Sequence, residues 1–180
     1  MARLWGREAS WVRGAQTGSV PDLEALFREH WPRAHRAAYL VVQDAAAAED
    51  IAQEAFLAAM RSLDRFDVGR PFGPWLHRIV VNRAIDWARA RTLRAEVGGD
   101  ALVERPAPAA PPIDPLSEPV AQALAALPPE HRAVIVLRHL LEYTPGEIAD
   151  LLDLPRGTVN SRLRRGLDRL RDEVPEEDDD

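Results

Sequence analysis

A proline-rich stretch in the middle of the chain constrains the fold more than any other feature. Six prolines fall between Pro106 and Pro119, in the segment PAPAAPPIDPLSEP, and Gly98 and Gly99 stand just before it. Proline fixes φ and lacks a backbone N–H, so this segment belongs neither in a helix interior nor in a central strand. We therefore predict a flexible linker over residues 95–116, which divides the 180-residue chain into two bodies.

The N-terminal body has the periodicity of amphipathic helices, and neither body shows a convincing period-two strand pattern. Asp44 is a predicted N-cap for a helix over residues 45–63, and residues 72–94 form a second long pattern. The apolar stripes of these two helices consist of Ala52, Phe56, Ala59, Met60 and Leu63, and of Phe72, Leu76, Ile79, Val80, Ala84 and Trp87. The predicted fold is all-α: two small helical domains joined by the flexible proline-rich linker.

The C-terminal body carries a helix-turn-helix pattern. Ser117 is a predicted cap for its first helix, and Thr144-Pro145-Gly146-Glu147 is a capping box with proline at the first helical position. A last helix follows a break at residues 153–155. Its polar side carries Asn160, Ser161, Arg162, Arg164 and Arg165. A short helix followed by a helix with a basic outer side is typical of proteins that read the major groove.

The charge distribution separates three surfaces that the net charge of −6 hides. Residues 70–94 and 156–171 each hold six Arg and one acid, about +5, as phosphate neutralisation requires. Residues 44–67 hold six acids and two Arg, about −4, and seven further acids lie in the last nine residues. The two basic segments predict contact with nucleic acid, and the acidic segment predicts a protein-docking face.

Several function classes are excluded or disfavoured by what the chain lacks. It has no Cys, no apolar run as long as a membrane span, and no signal-peptide pattern, so we expect a cytoplasmic protein without membrane insertion. No Walker loop, nucleophile elbow or dinucleotide fingerprint is present, so we predict no catalytic residue and no cofactor. Glu49, Asp50 and Glu54 face away from the apolar stripe, which disfavours a metal site.

Three stretches in order resemble the extracytoplasmic-function (ECF) group of bacterial RNA polymerase sigma factors, members of the sigma-70 family. AEDIAQEAFLAAMRSLDRF (48–66) is similar to the family's core-polymerase-binding segment. PWLHRIVVNRAIDWARAR (74–91) is similar to its promoter-melting and minus-ten helix. LPPEHRAVIVLRHLLEYTPGEIADLLDLPRGTVNSRLRRGLDRL (127–170) is similar to its helix-turn-helix domain. The resemblance implies a transcription initiation factor that binds core RNA polymerase and promoter DNA, both double-stranded and single-stranded.

The resemblance also implies residue roles. The polymerase-docking face would consist of Asp50, Gln53, Glu54, Leu57 and Arg61. The minus-ten contacts would come from Phe66, Phe72, Arg78, Asn82 and Arg89, and the loop 65–73 would form the pocket for a flipped-out base. We call this segment the recognition loop. The minus-thirty-five contacts would come from Asn160, Ser161, Arg162, Arg164 and Arg165. The group commonly has anti-sigma partners, so a partner of that kind is expected.

The predicted organisation has five parts: an N-terminal extension (1–20), sigma region 2 (21–94), the linker (95–116), sigma region 4 (117–174) and an acidic tail (175–180). Two alternatives remain open. A stand-alone helix-turn-helix regulator would have no need of the acidic docking face. A metal-dependent nucleic-acid enzyme would require the carboxylates of Glu49, Asp50 and Glu54.

Overall fold

The computed structural model describes residues 2–97 and 117–173, and within these ranges the protein contains eight α-helices and no strand. The helices are α1 (Ala2–Gln16), α2 (Val20–Val42), α3 (Ala45–Arg61), α4 (Phe72–Val97), α5 (Glu118–Ala126), α6 (Pro129–Ile135), α7 (Pro145–Leu152) and α8 (Arg156–Glu173). A 3₁₀ turn at Leu63–Arg65 follows α3, and a π-helical segment at Val136–Leu140 extends α6. The predicted all-α, two-domain fold is confirmed.

The N-terminal domain is built around α2, which packs against α1, α3 and α4. Leu26, Val41 and Val80 are fully buried between these helices. Each such side chain contributes about 1.5–3 kcal/mol relative to an exposed position. Asp44 begins α3 as predicted, since its Oδ1 accepts a hydrogen bond from the backbone N–H of Ala47 at 3.0 Å.

The C-terminal domain is a helix-turn-helix supported by α5 and α6. The capping box at the start of α7 is present, with Thr144 and Glu147 each bonded to the other's backbone N–H. Asp153 ends α7 in the left-handed region, at φ 54°, and so turns the chain into α8. Gly166 allows α8 to approach α6 closely, because a Cβ there would lie 2.6 Å from Ile135 Cδ1.

The domain boundaries differ from the predicted ones in two places. Helix α4 continues to Val97, so the first three residues of the predicted linker are helical, while 98–116 lie outside the described residues. The predicted N-terminal extension contributes α1 to the domain, where Val12 and Ala15 are buried in the core. The predicted acidic tail, 175–180, also lies outside the described residues.

The two domains pack directly against each other, through α2 and α4 on one side and α6 and α7 on the other. Arg132 of α6 is buried at this contact. Its guanidinium donates to the carbonyl oxygen of Val41 at 2.6 Å and to those of Ala125 and Leu127 at 2.8 Å. Burial lowers the pKa of Arg132 to about 10. A cation bonded to the carbonyls at two helix ends joins α2 to the C-terminal domain.

Candidate functional site

The docking face lies on the outer side of α3, as the spacing predicted. Its five residues are all exposed: Asp50, Gln53, Glu54, Leu57 and Arg61. Leu57 is 54% exposed and stands among the polar and charged side chains of this face. An exposed Leu with acids on either side suits a partner surface that is basic around an apolar centre.

Two residues of this region are engaged within the domain. Glu54 Oε2 accepts a hydrogen bond from Arg83 Nη1 at 2.8 Å, which ties α3 to α4. This bond explains why a charged residue, Arg83, stands beside the apolar stripe of α4. Gln53 Nε2 donates to Glu49 Oε1 at 3.1 Å, one helical turn earlier. Asp50 and Leu57 therefore form the part of the face that is best suited to test docking without disturbing α4.

Of the five predicted minus-ten residues, the structure exposes Arg78 and Arg89, half-buries Asn82 and buries Phe66 and Phe72. Phe72 has no exposed surface, so the prediction that it contacts DNA is wrong. Its ring packs edge-on against Phe66 and Trp75, with centroids 5.9 and 5.6 Å away. Phe72 belongs to the apolar stripe that anchors the start of α4.

A cleft of about 640 Å³ separates the recognition loop from the C-terminal domain. Its walls on the N-terminal domain include Arg65, Phe66, Arg70, Trp75 and Arg78, and its opposite wall includes Tyr143, Glu147 and Asp150. Basic and aromatic groups together are suited to an unstacked base and its phosphates. In this arrangement of the domains, the basic and aromatic side chains of the cleft face acidic side chains of α7.

Arg89 also faces the C-terminal domain, where it pairs with Glu130 of α6. Arg89 Nε lies 2.5 Å from Glu130 Oε1. Partial burial raises the pKa of Glu130, but the bond to Arg89 and the nearby charge of Arg162 outweigh it, and the pKa falls below its ordinary value. Glu130 therefore lies between the basic helices α4 and α8. Sequence periodicity does not predict this contact, because the two residues are separated by the linker.

Helix α8 presents most of its predicted residues outward. Asn160, Arg164 and Arg165 are exposed and Ser161 is half-buried on the same side of the helix. Arg162 is half-buried and turned toward α6. There it acts electrostatically on Glu130 and on His131, whose pKa is lowered by burial and then by Arg169 and Arg162. The exposed group is the part of α8 that a major groove can receive.

A polar pair, made of buried His77 and half-buried Tyr143, fastens α4 to the segment between α6 and α7. His77 Nδ1 and Tyr143 Oη are 2.7 Å apart and form a hydrogen bond. Burial lowers the pKa of His77 to about 3, and the charges of His30 and Arg33 act in the same direction. Burial likewise raises the pKa of Tyr143. Both side chains are therefore neutral at pH 7 while the domains are packed.

Acidification is expected to weaken this packing. Unfolded His77 takes up a proton below its ordinary pKa of 6.5, whereas the folded residue does not until about pH 3. The contribution of neutral His77 to the free energy of unfolding is thus fully present above pH 6.5 and is lost as the pH falls. The loss is about 2 kcal/mol between pH 7 and pH 5. Chemical denaturation of the wild-type protein and of His77→Gln at both pH values measures it. Equal pH dependence in the two proteins contradicts the assignment.

Two features of the described residues bear on other function classes. No group of three or more His, Cys, Asp or Glu side chains in residues 2–97 and 117–173 is arranged to hold a metal ion. Over the same ranges, no helix combines the length and the apolar character that crossing a membrane requires. Glu49, Asp50 and Glu54 are all exposed on α3.

Comparison with known proteins accounts for both domains. Residues 26–94 match the family model for sigma-70 region 2, and residues 117–170 match that for sigma-70 region 4. The chain is 36% identical over 176 residues to the ECF RNA polymerase sigma factor SigW of Bacillus subtilis. The alignment covers 91% of this chain and 92% of SigW. The protein is a member of the ECF group of sigma-70 factors. Its function is promoter-specific transcription initiation with RNA polymerase, and core polymerase and promoter DNA are its partners.

Two solved structures share the fold. CnrH, determined in complex with the cytosolic domain of CnrY, matches with a TM-score of 0.66 and 27% identity, over 91% of this chain and 94% of CnrH. The sigma factor RpoE of Bartonella quintana, determined in complex with the anti-sigma factor NepR, matches with a TM-score of 0.71 and 23% identity, over 85% of this chain and 96% of RpoE. In this sigma factor, α2–α4 correspond to region 2 and α5–α8 to region 4, while α1 precedes the matched residues.

Proposed function

We propose that three separate surfaces divide the work of initiation: the docking face on α3 binds core polymerase, α4 and the recognition loop bind melted minus-ten DNA, and α8 reads minus-thirty-five duplex. The separation of charge carries this proposal. Acids and Leu57 are exposed on α3, whereas Arg residues are exposed on α4 and α8. The protein then needs no catalytic residue and no cofactor of its own, and it works in the cytoplasm beside the polymerase.

The minus-ten site requires a base to leave the duplex, which costs a few kcal/mol of stacking and pairing. Asn82, half-buried on α4, offers both a donor and an acceptor to the edge of such a base. Arg78 lines the cleft beside the recognition loop, where it neutralises the adjoining phosphates. Phe66 forms part of the floor of this cleft, and Phe72 supports it from the core.

Arg165→Ala is expected to weaken binding to a matched minus-thirty-five duplex by about 1–3 kcal/mol, the usual value of one bidentate base contact. Arg138→Ala removes one exposed Arg from the same domain but not from α8, so it is the matched control. Fluorescence anisotropy on matched and base-substituted duplexes, at several salt concentrations, measures both variants. An equal loss on every sequence would assign Arg165 to a phosphate contact instead.

The packed arrangement of the two domains has to open before both promoter elements are bound. The minus-ten and minus-thirty-five elements lie about 25 base pairs apart, or about 85 Å along B-form DNA. A compact protein of this length is only about 40 Å across. Moreover, Arg89 is paired with Glu130, and the recognition loop faces α7. The 19 residues between Val97 and Ser117 reach at most about 65 Å when extended, so separation is possible without breaking either domain.

Run-off transcription tests the proposed division of work. Purified protein and core polymerase are supplied with a promoter library randomised at both elements, and the transcribed templates are sequenced. Enrichment of two spaced motifs supports the proposal. A stand-alone helix-turn-helix regulator would bind one duplex motif equally well without polymerase. Transcription that starts without sequence preference would contradict the assignment of both DNA-binding surfaces.

We further propose that a protein inhibitor holds the factor in its packed arrangement. The related CnrH, 27% identical, was determined in complex with the cytosolic domain of a second protein, which supports a partner of this kind. The direct contacts between α4 and α6 give such an inhibitor a closed state to stabilise. Purification of the tagged factor from its native host, followed by addition of each copurifying protein to the run-off assay, identifies it. An inhibitor of this kind prevents initiation without binding DNA.

A further inference from the structure

Helix α1 contacts the start of the recognition loop through one side chain. Gln16, in the last turn of α1, donates from Nε2 to the carbonyl oxygen of Leu63 at 2.8 Å and to that of Phe66 at 2.9 Å. Leu63 begins the 3₁₀ turn that leads into the recognition loop, and Phe66 lies within the loop. One amide group thereby fixes two successive points of backbone that are 47 and 50 residues away in sequence.

A second side chain of α1 reaches the other end of the loop, where α4 begins. Glu8 Oε1 lies 2.8 Å from His30 Nε2 of α2. Burial raises the pKa of Glu8, but His30 and the backbone N–H groups of Phe72 and Gly73 outweigh it, and the pKa falls. The first N–H groups of a helix have no partner within it, and α4 has no acid in its first turn. Glu8 supplies a carboxylate there from another helix.

The position of α1 itself is fixed by the core. Val12 is 1% exposed and Ala15 is 8% exposed, and both pack into the core of the N-terminal domain. These two residues lie between Glu8 and Gln16 on the helix. The family match to region 2 begins at residue 26, so no role for α1 follows from it.

We propose that α1 is a positioning element for minus-ten recognition, in which Gln16 and Glu8 hold the two ends of the recognition loop in the shape that accepts the flipped base. The inference rests on the proposed role of the loop. Fixing the backbone at both ends reduces the entropy that the loop loses when a base binds. It also holds the side chains that line the cleft, Arg65 and Arg70 among them, at a set distance from α4.

Gln16→Glu tests the proposal with almost no change of shape. It removes the two donated hydrogen bonds and places a carboxylate against two carbonyl oxygens. Thr17→Val is the matched control, because Thr17 Oγ1 also donates to a backbone carbonyl at 2.8 Å, but to that of Gly14 in the adjoining turn of α1 and not to the recognition loop. Gln16→Lys restores a donor of similar reach. Unfolding of all three variants is measured first, to set a temperature at which each is folded.

The decisive measurement is selectivity at the minus-ten element. Holoenzyme formed with each variant transcribes matched templates and templates with one substituted minus-ten base, chosen from the randomised library. We expect Gln16→Glu to lower the ratio of matched to mismatched transcription about tenfold, with Gln16→Lys close to wild type and Thr17→Val unchanged. Affinity for core polymerase is expected to stay the same.

The possible outcomes separate this proposal from the function on which it rests. A Gln16→Glu protein that loses transcription on matched and mismatched templates by the same factor would show that Gln16 only stabilises the fold. Arg70→Ala, within the recognition loop, is measured in parallel. The proposed role of the loop is overturned if wild type transcribes equally well with any minus-ten base and Arg70→Ala behaves in the same way. Altered selectivity in Arg70→Ala but not in Gln16→Glu would overturn only the role of α1.

Discussion

Combining Asp50→Arg with Leu57→Arg is expected to weaken binding to core polymerase by about 100-fold or more, equivalent to about 3 kcal/mol. Both residues are exposed on α3, and Leu57 is the apolar centre of the docking face. Arginine at position 50 would repel a basic partner surface, and arginine at position 57 would place a charge where an apolar contact is expected. Glu54 and Arg83, which are bonded to each other, are themselves left unchanged.

Val20→Arg combined with Glu24→Arg is the matched control for this variant. It changes one exposed apolar residue and one exposed acid on α2, so the change in net charge is the same. Binding to purified core polymerase is measured by competition with labelled wild-type protein. Binding of each variant to minus-thirty-five duplex is measured as well, to show that region 4 is intact. If the control loses as much affinity as the α3 variant, the attraction is a general effect of charge and the docking face is wrongly placed.

Local structure could be predicted from the sequence where the signal lies within a few residues. The Asp44 cap and the Thr144–Glu147 capping box are both confirmed. The predicted Ser117 cap is wrong, since its side chain makes no capping hydrogen bond. Pro119 at the second helical position removes one of the two N–H groups that such a cap can bond, and the Ser117 side chain does not bond the other, that of Val120. A cap prediction based on the first residue alone does not detect this.

Contacts between distant segments could not be predicted from the sequence. The exposed face of α3 follows from helical periodicity, but the partner of Arg83 is on another helix. Phe72 lies on an apolar stripe and also next to a basic segment, and only its packing against Phe66 and Trp75 decides between core and DNA contact. The bond of Gln16 to the recognition loop has no local signal, because one polar residue at the end of a helix is ordinary.

The packing of the two domains leads to a prediction with an even larger expected effect on transcription. The pair Arg89→Cys and Glu130→Cys places one thiol on α4 and one on α6, where the native side chains are 2.5 Å apart. The natural chain has no Cys, so a short cleavable cross-linker acts at these two positions alone. Because the locked protein is about 40 Å across, it cannot reach promoter elements separated by about 85 Å. We expect initiation to be lost almost completely and to return when the cross-link is cleaved.

A cross-link within one domain provides the control. Asp44→Cys and Arg91→Cys replace a pair 3.2 Å apart, at the N-cap of α3 and on α4, both within the N-terminal domain. The loss of the Asp44 cap costs only about 1 kcal/mol. Run-off transcription before and after cleavage measures each protein against its own uncross-linked state, which removes the separate effect of losing Arg89. The control is expected to initiate equally well in both states. Full initiation by the protein cross-linked between α4 and α6 would mean that the packed arrangement is itself competent, because both elements would then be bound without separation of the domains.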